Sequence, residues 1–299
     1  MNENAIESFV ETYVQALKDQ TAAVFAGAGL SIPTGMVDWR TLLRGIARDI
    51  GLDVNRESDL VTLAQFHVNE RRGRHQINQA LIVEFNSRAK PTKNHQILAS
   101  LPIRTYWTTN YDALLEQALE GAGRLGDVKR TVANLATTLP RRDAVVYKMH
   151  GDISQPDKAV VTKDDYEGYT KTHQLFSTAL QGDLVSKTFL FVGFSFSDPN
   201  LGYVLARIRL LLGENRREHY CLLRRAQRSD FKATAEYQYA LARQELQVRD
   251  LQRYGIIGLL LDGYSEYTEV LQRIEQRFKA STVFVSGSSV DYAALGSTS

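Results

Sequence analysis

Cysteine is nearly absent: Cys221 is the single one in 299 residues. That excludes an intrachain disulfide and any zinc site built on cysteine pairs, and no metal is expected. Cys221 falls in the apolar stretch "HYCLLR" and reads as a small hydrophobe in a buried strand. Neither sign of charge dominates. Against 34 acidic residues stand 36 basic ones, a net charge of +2, which leaves no electrostatic footprint for nucleic acid. The short basic clusters Arg71-Arg72-Gly73-Arg74 and Arg224-Arg225 read as solvated faces. Long apolar runs are missing too. The longest, Ile256–Leu261, is far too short to span a bilayer, and the opening "MNENAIESFV" lacks the basic and apolar regions of a signal peptide. A cytoplasmic protein without a membrane partner is expected.

What remains is an ordinary globular composition, 43% hydrophobic and 23% charged, able to bury one large core. Short apolar runs at Ala22–Ala26, Arg104–Thr108, Ala144–Met149, Thr188–Gly193, Glu218–Leu223 and Gly255–Leu261 alternate with helical patterns such as Asn4–Lys18, Asp198–Leu212 and Phe231–Arg253. Strands that are apolar throughout belong to a parallel sheet covered on both faces. The expected fold is therefore α/β: a doubly wound, mostly parallel, Rossmann-like sheet of six strands. Between Trp39 and Ser100 no strand is legible, and about residues 41–100 read as a helical insertion. The tail "STVFVSGSSVDYAALGSTS" holds a short β-branched run, Thr282–Val285, before a Gly/Ser-rich stretch. Residues 281–299 thus read as a linker or as the truncated start of a second nucleotide-binding domain, with 1–280 as the first.

In open α/β sheets ligands bind outside the carboxyl ends of the strands. Four expected strands end in small, polar or ionisable residues: Gly27-Ala28-Gly29-Leu30-Ser31, then "TTNYD" at Thr108 to Asp112, "HGD" at His150 to Asp152, and "GFSFSDPN" at Gly193 to Asn200. The first loop is bare enough to cradle a phosphate on its amides, or merely to let a helix pack closely on the sheet. It is not a strict dinucleotide fingerprint, since Ile32 stands where a third glycine is required, nor a Walker loop. Of the 6 histidines only His150 follows a strand's carboxyl end. A neutral imidazole there can take a proton from water or a hydroxyl, and the amide of Asn110 can hold that group as both donor and acceptor. Asp38, Asp112 and Asp198 are further candidates in the crevice. Each could equally be a helix N-cap, and Asp198 before Pro199 fits a cap best.

Taken together, "GAGLS", "GMVDWR", "TTNYD", "HG" and "GFSFSDP" resemble, in order and spacing, motifs of the sirtuin family of NAD-consuming enzymes, over roughly residues 5 to 280. The resemblance implies a sirtuin-like fold with NAD as substrate. It makes His150 the base and Asn110 the residue that positions ribose hydroxyls or water. Gly27, Ala28, Gly29 and Ser31 would meet the pyrophosphate and its ribose. Asp38 and Arg40 would border the nicotinamide, Asp112 would belong to the same NAD site, and Gly193 and Ser195 would lie near the adenosine ribose. The family's deacylases carry a zinc ribbon after the histidine motif, and this chain has no cysteines to build one. It resembles more the sirtuin-like NADase effectors of bacterial antiphage defence, of the Thoeris kind. That resemblance implies hydrolysis of NAD to ADP-ribose and nicotinamide in abortive infection. It further implies a cyclic ADP-ribose-type activator sensed by a C-terminal domain, and a homo-oligomer, a tetramer among the options. A protein deacylase and a non-catalytic NAD- or ADP-ribose-binding module are the alternatives.

Overall fold

A computed structural model describes residues 3–36, 38–85, 89–196 and 198–286, with the side chains of 283–286 left aside. Seven strands form one sheet: β1 (Ala22–Ala26), β2 (Thr105–Thr108), β3 (Gly126–Lys129), β4 (Ala144–Lys148), β5 (Thr188–Val192), β6 (His219–Arg224) and β7 (Ile256–Leu261). They lie in the order β3-β4-β2-β1-β5-β6-β7, and every pairing is parallel. The expected six-stranded sheet therefore gains a seventh strand. β3 reads "GDVK", with one apolar residue in four, because it is an edge strand and needs no double apolar coat.

The sheet's alternation sorts side chains into two layers. Ala22, Val24 and Ala26 of β1, with Tyr106, Val146 and Leu190, face a core closed by the helices Glu3–Lys18, Lys93–Ser100, Leu114–Gly121 and Tyr264–Ser286. Ala23 and Phe25, with Trp107, Phe189 and Phe191, face the helices Gln174–Ser186 and Pro199–Leu212. The stripe foreseen in the first helix, Ile6, Phe9, Val10, Tyr13, Val14 and Leu17, is buried along its whole length. Cys221 is buried in β6, as its neighbours implied.

The helical insertion has a small core of its own. Leu42, Leu43, Ile46, Leu63, Ile77 and Leu81 pack together and onto Tyr111, just past β2. The described part of this region holds no strand. At the other end the structure corrects the sequence reading. Thr282–Val285 is not a strand, because the helix Tyr264–Ser286 runs through it. The loop expected after it, and with it the start of a second domain, lies outside the described residues.

The chain leaves β1 for β2 on one side and returns through β5 on the other, so the winding reverses at β1. A crevice opens at the carboxyl ends of such a reversal.

Candidate functional site

The loops after β1 and β5 cross at that point in backbone contact. Gly27 N–H donates to Val192 O, and Gly29 N–H donates to Gly193 O, each at 2.9 Å. A Cβ on Gly27 would overlap the Gly193 carbonyl, one on Gly29 would stand 2.9 Å from Gly193 Cα, and one on Gly193 would overlap the Leu30 amide. Gly193 also has φ +67°, a left-handed backbone that disfavours any side chain. The amides of Leu30 and Ser31 turn back to the carbonyls of Gly27 and Ala28. The bare loop is therefore glycine-rich for close backbone approach. Of its amides, Ala28 alone has no partner among the described residues.

Above this crossing lies a cleft of about 1240 Å³, reaching from Asp38 and Trp39 of the insertion to Tyr264 and Thr268 beyond β7. Ala28, Gly29, Ser31, Asp38, Asn110, Asp112, His150, Gly193 and Ser195 all line it. Of the expected residues, Gly27 and Arg40 do not. Gly27 lies one layer below, its carbonyl accepting from Asn110 Nδ2 at 3.1 Å. The Arg40 guanidinium turns back to the carbonyls of Val54 and Glu57 and ties down the insertion's loop.

Asn110 sits where β2 ends. Its Nδ2 also donates to Ser31 Oγ, at 3.2 Å, so β1's loop fixes the amide. Its Oδ1 has no protein partner among the described residues. Next to it, Tyr111 turns the other way: its hydroxyl donates to Val160 O at 2.7 Å, and its ring stacks near Trp39. Asp38 caps the helix Trp39–Leu42 through Thr41 N, and Asp112 accepts from Leu114 N at 3.0 Å, so both also serve local backbone.

His150 is nearly buried at the end of β4, its ring edge-on to Tyr166 and Tyr169 at 5.4 and 6.2 Å. His150 Nε2 stands 3.0 Å from Asp198 Oδ2. The approach is out of line for a good hydrogen bond, so the pairing is mainly Coulombic. Burial pushes the Asp198 carboxyl up. The His150 charge and the amides of Leu201 and Asn200 outweigh that and leave it below the usual carboxylate range. Burial, and then the His150 charge, lowers the proton affinity of nearby His173.

Sequence reasoning missed a second set of groups beneath these. Lys148 is fully buried, and its ammonium donates to the carbonyls of Tyr111 (3.2 Å) and Asp112. It also pairs with Asp152 at 2.6 Å and with Glu116 at 3.2 Å. One cation thus ties the segment bearing Asn110 to the segment bearing His150. Burial raises the Asp152 carboxyl, and Lys148 and the Ser154 bonds more than offset it. A lysine inside an otherwise apolar strand, four residues before an aspartate, was the signal for this cluster.

The fold and site define a doubly wound α/β protein whose winding reversal carries a glycine crossing, an asparagine and a buried histidine. A SIR2-like domain is matched over residues 104–248. The chain carries this match over just under half of its length. It is similar to proteins named NAD(+) hydrolase ThsA: 52% identical over 288 residues to that of Bacillus cereus (strain MSX-D12), covering 96% of this chain and 60% of the relative. To the Acinetobacter baumannii (strain 532279) protein of the same name it is 47% identical over 298 residues, covering 100% of this chain and 62% of the relative. A more distant relative is Defense-associated sirtuin 2 of Bacillus subtilis, 24% identical over 220 residues, which cover 71% of this chain and 21% of the relative. The chain therefore spans about three fifths of the ThsA relatives' length.

Proposed function

We propose that this chain is the NAD-cleaving part of a ThsA-like effector and hydrolyses NAD to ADP-ribose and nicotinamide. The observation that carries this reading is that Asn110, fixed by β1's loop, and His150, backed by Asp198, line one cleft at the sheet's winding reversal. At about 1240 Å³ the cleft is roomier than a drug-sized ligand needs. The ThsA relatives are themselves named for NAD(+) hydrolysis.

The bond that breaks joins nicotinamide to C1′ of the ribose. Its electrons neutralise the pyridinium, so the leaving group needs no general acid. C1′ becomes oxocarbenium-like and is captured by water, whose proton His150 takes before passing it to solvent. Asn110 supplies an acceptor and a fixed donor to place that water or the adjacent hydroxyls. In this reading Gly29, Ser31, Asp38, Asp112, Gly193 and Ser195 line the dinucleotide's path, with Ala28 offering its amide. Gly27 acts beneath the site through Asn110, and Arg40 by holding the insertion.

The same proposal takes in the finer expectations. Residues 1–280 form the catalytic unit in the cytoplasm, and the chain acts in Thoeris-type antiphage defence as a homo-oligomer. A cyclic ADP-ribose-type signal acts through a region that the longer relatives have and this chain does not span. The test is nicotinamide release from NAD with and without an acyl-lysine peptide. Peptide-independent release is expected. Release that requires the peptide would make the chain a deacylase, and NAD bound but left intact would make it a binding module.

A further inference from the structure

Asp198 is used twice. Its Oδ1 accepts from Leu201 N at 2.9 Å and so caps the helix Pro199–Leu212. Its Oδ2 faces His150 Nε2 at 3.0 Å, with the two side chains 9% and 5% exposed. A cap requires one oxygen and no charge; asparagine and serine cap as well as aspartate does. Burying a carboxylate away from water is unfavourable unless a partner compensates. The helix start therefore explains an oxygen at this position and leaves the charge unexplained, whereas the imidazole beside it does explain the charge. The other groups facing the ring are the hydroxyl-bearing rings of Tyr166 and Tyr169, with His173 stacked on Tyr169 at 4.7 Å. Burial pushes both tyrosines far up, so they stay neutral, and His173 is itself biased toward the neutral form. Among the described residues, Asp198 is thus the anion against the His150 ring.

We propose that Asp198 is a positioning residue for His150. Its carboxylate fixes the ring's orientation and stabilises the imidazolium formed when the ring accepts a proton. The ring nitrogen turned away from Asp198 is then the one presented to the cleft. The kinetic half of this inference rests on the NAD-cleavage reading; the half that concerns the ring does not.

The experiment uses this chain with isotope-labelled histidine, the His150 ring signal being assigned by its loss in His150→Gln. The ring is titrated by NMR in wild type, Asp198→Asn and Asp198→Ser, two neutral residues that keep the cap. In both variants the His150 midpoint is expected to fall by roughly one pH unit or more, as follows from removing an adjacent opposite charge. The maximal rate of nicotinamide release is expected to fall about 10- to 100-fold with little change in KM, as a part of the 100- to 10,000-fold a general base supplies. The acid limb of the rate profile should move to lower pH by the same amount as the midpoint. If Asp198→Asn does not fold, Asp198→Ser gives the same readout. A His150 midpoint unchanged in a folded variant would overturn the proposal and leave Asp198 a cap alone. Were wild type to release no nicotinamide, the titration would still decide the pair, and only the cleavage reading would fall.

Discussion

Asn110 is held at one end: its amide donates to Gly27 O and Ser31 Oγ, while its Oδ1 has no partner among the described residues. Because the backbone around it is fixed by Lys148 and Tyr111, Asn110→Ala should keep the fold and lose turnover. A melting temperature near wild type with nicotinamide release reduced about 100-fold or more is expected, the scale of losing a fixed polar group in a reacting site. Full activity in that variant would remove Asn110 from the chemistry. Asn110 and His150 were legible in the sequence because each is a polar residue directly past an apolar strand. Asp198 was only half legible: the Asp-Pro pair announced a cap, and its meeting with His150 depends on a contact 48 positions away in the chain. Arg40 shows the reverse. Its motif suggested a ligand contact, and the structure uses it to hold two loop carbonyls of the insertion.

Among the elements, the crossing of the β1 and β5 loops leaves no room for a methyl group. Gly193→Ala would force a Cβ into the Leu30 amide at φ +67°. Loss of soluble protein, or destabilisation by at least about 1–3 kcal/mol in denaturant titration, is expected from the backbone strain alone. A Gly193→Ala chain as stable as wild type would contradict the close approach. Lys148 makes a parallel case between β2 and β4. Lys148→Met would leave Glu116 without its cation and Asp152 with Arg130 alone among the described residues, at a cost of about 3–5 kcal/mol, read from the same titration. A Lys148→Met chain as stable as wild type would show that the ion cluster does not hold the two segments together. Six strands were legible because five are central and apolar on both faces, and the edge strand β7 is an apolar run as well. β3 was not, since an edge strand of four residues carries little pattern. Thr282–Val285 misled for the opposite reason: β-branched residues suit a strand, and the helix already running from Tyr264 carries them along.

For the whole molecule, folding buries histidines that water would protonate. Burial pushes His95 down to about 4, the charge of Asp112 opposing it, and burial with Arg217 pushes His219 down to about 3. Each stays neutral in the folded chain and takes up a proton on unfolding once the pH drops below about 6.5. Their contribution is complete above that pH. It is lost as pH falls, at about 1.4 kcal/mol per unit for each histidine, until His95 and His219 protonate in place. The depressed carboxyls of Asp152 and Asp198 add a further loss below the ordinary carboxylate range. Denaturation midpoints should therefore fall between roughly pH 6.5 and 4, and a flat profile there would contradict the burial of both rings. The α/β winding and the cleft's position followed from strand pattern and connection rules, whereas the loop amides turned inward could be seen only once β1 and β5 were neighbours. The most direct test of the account is nicotinamide release from NAD by wild type beside His150→Ala, with both melts recorded. Release by wild type, reduced about 100- to 10,000-fold in a variant that still folds, is what the account predicts. Equal release from both chains, or a wild type that holds NAD and leaves it intact, would contradict it.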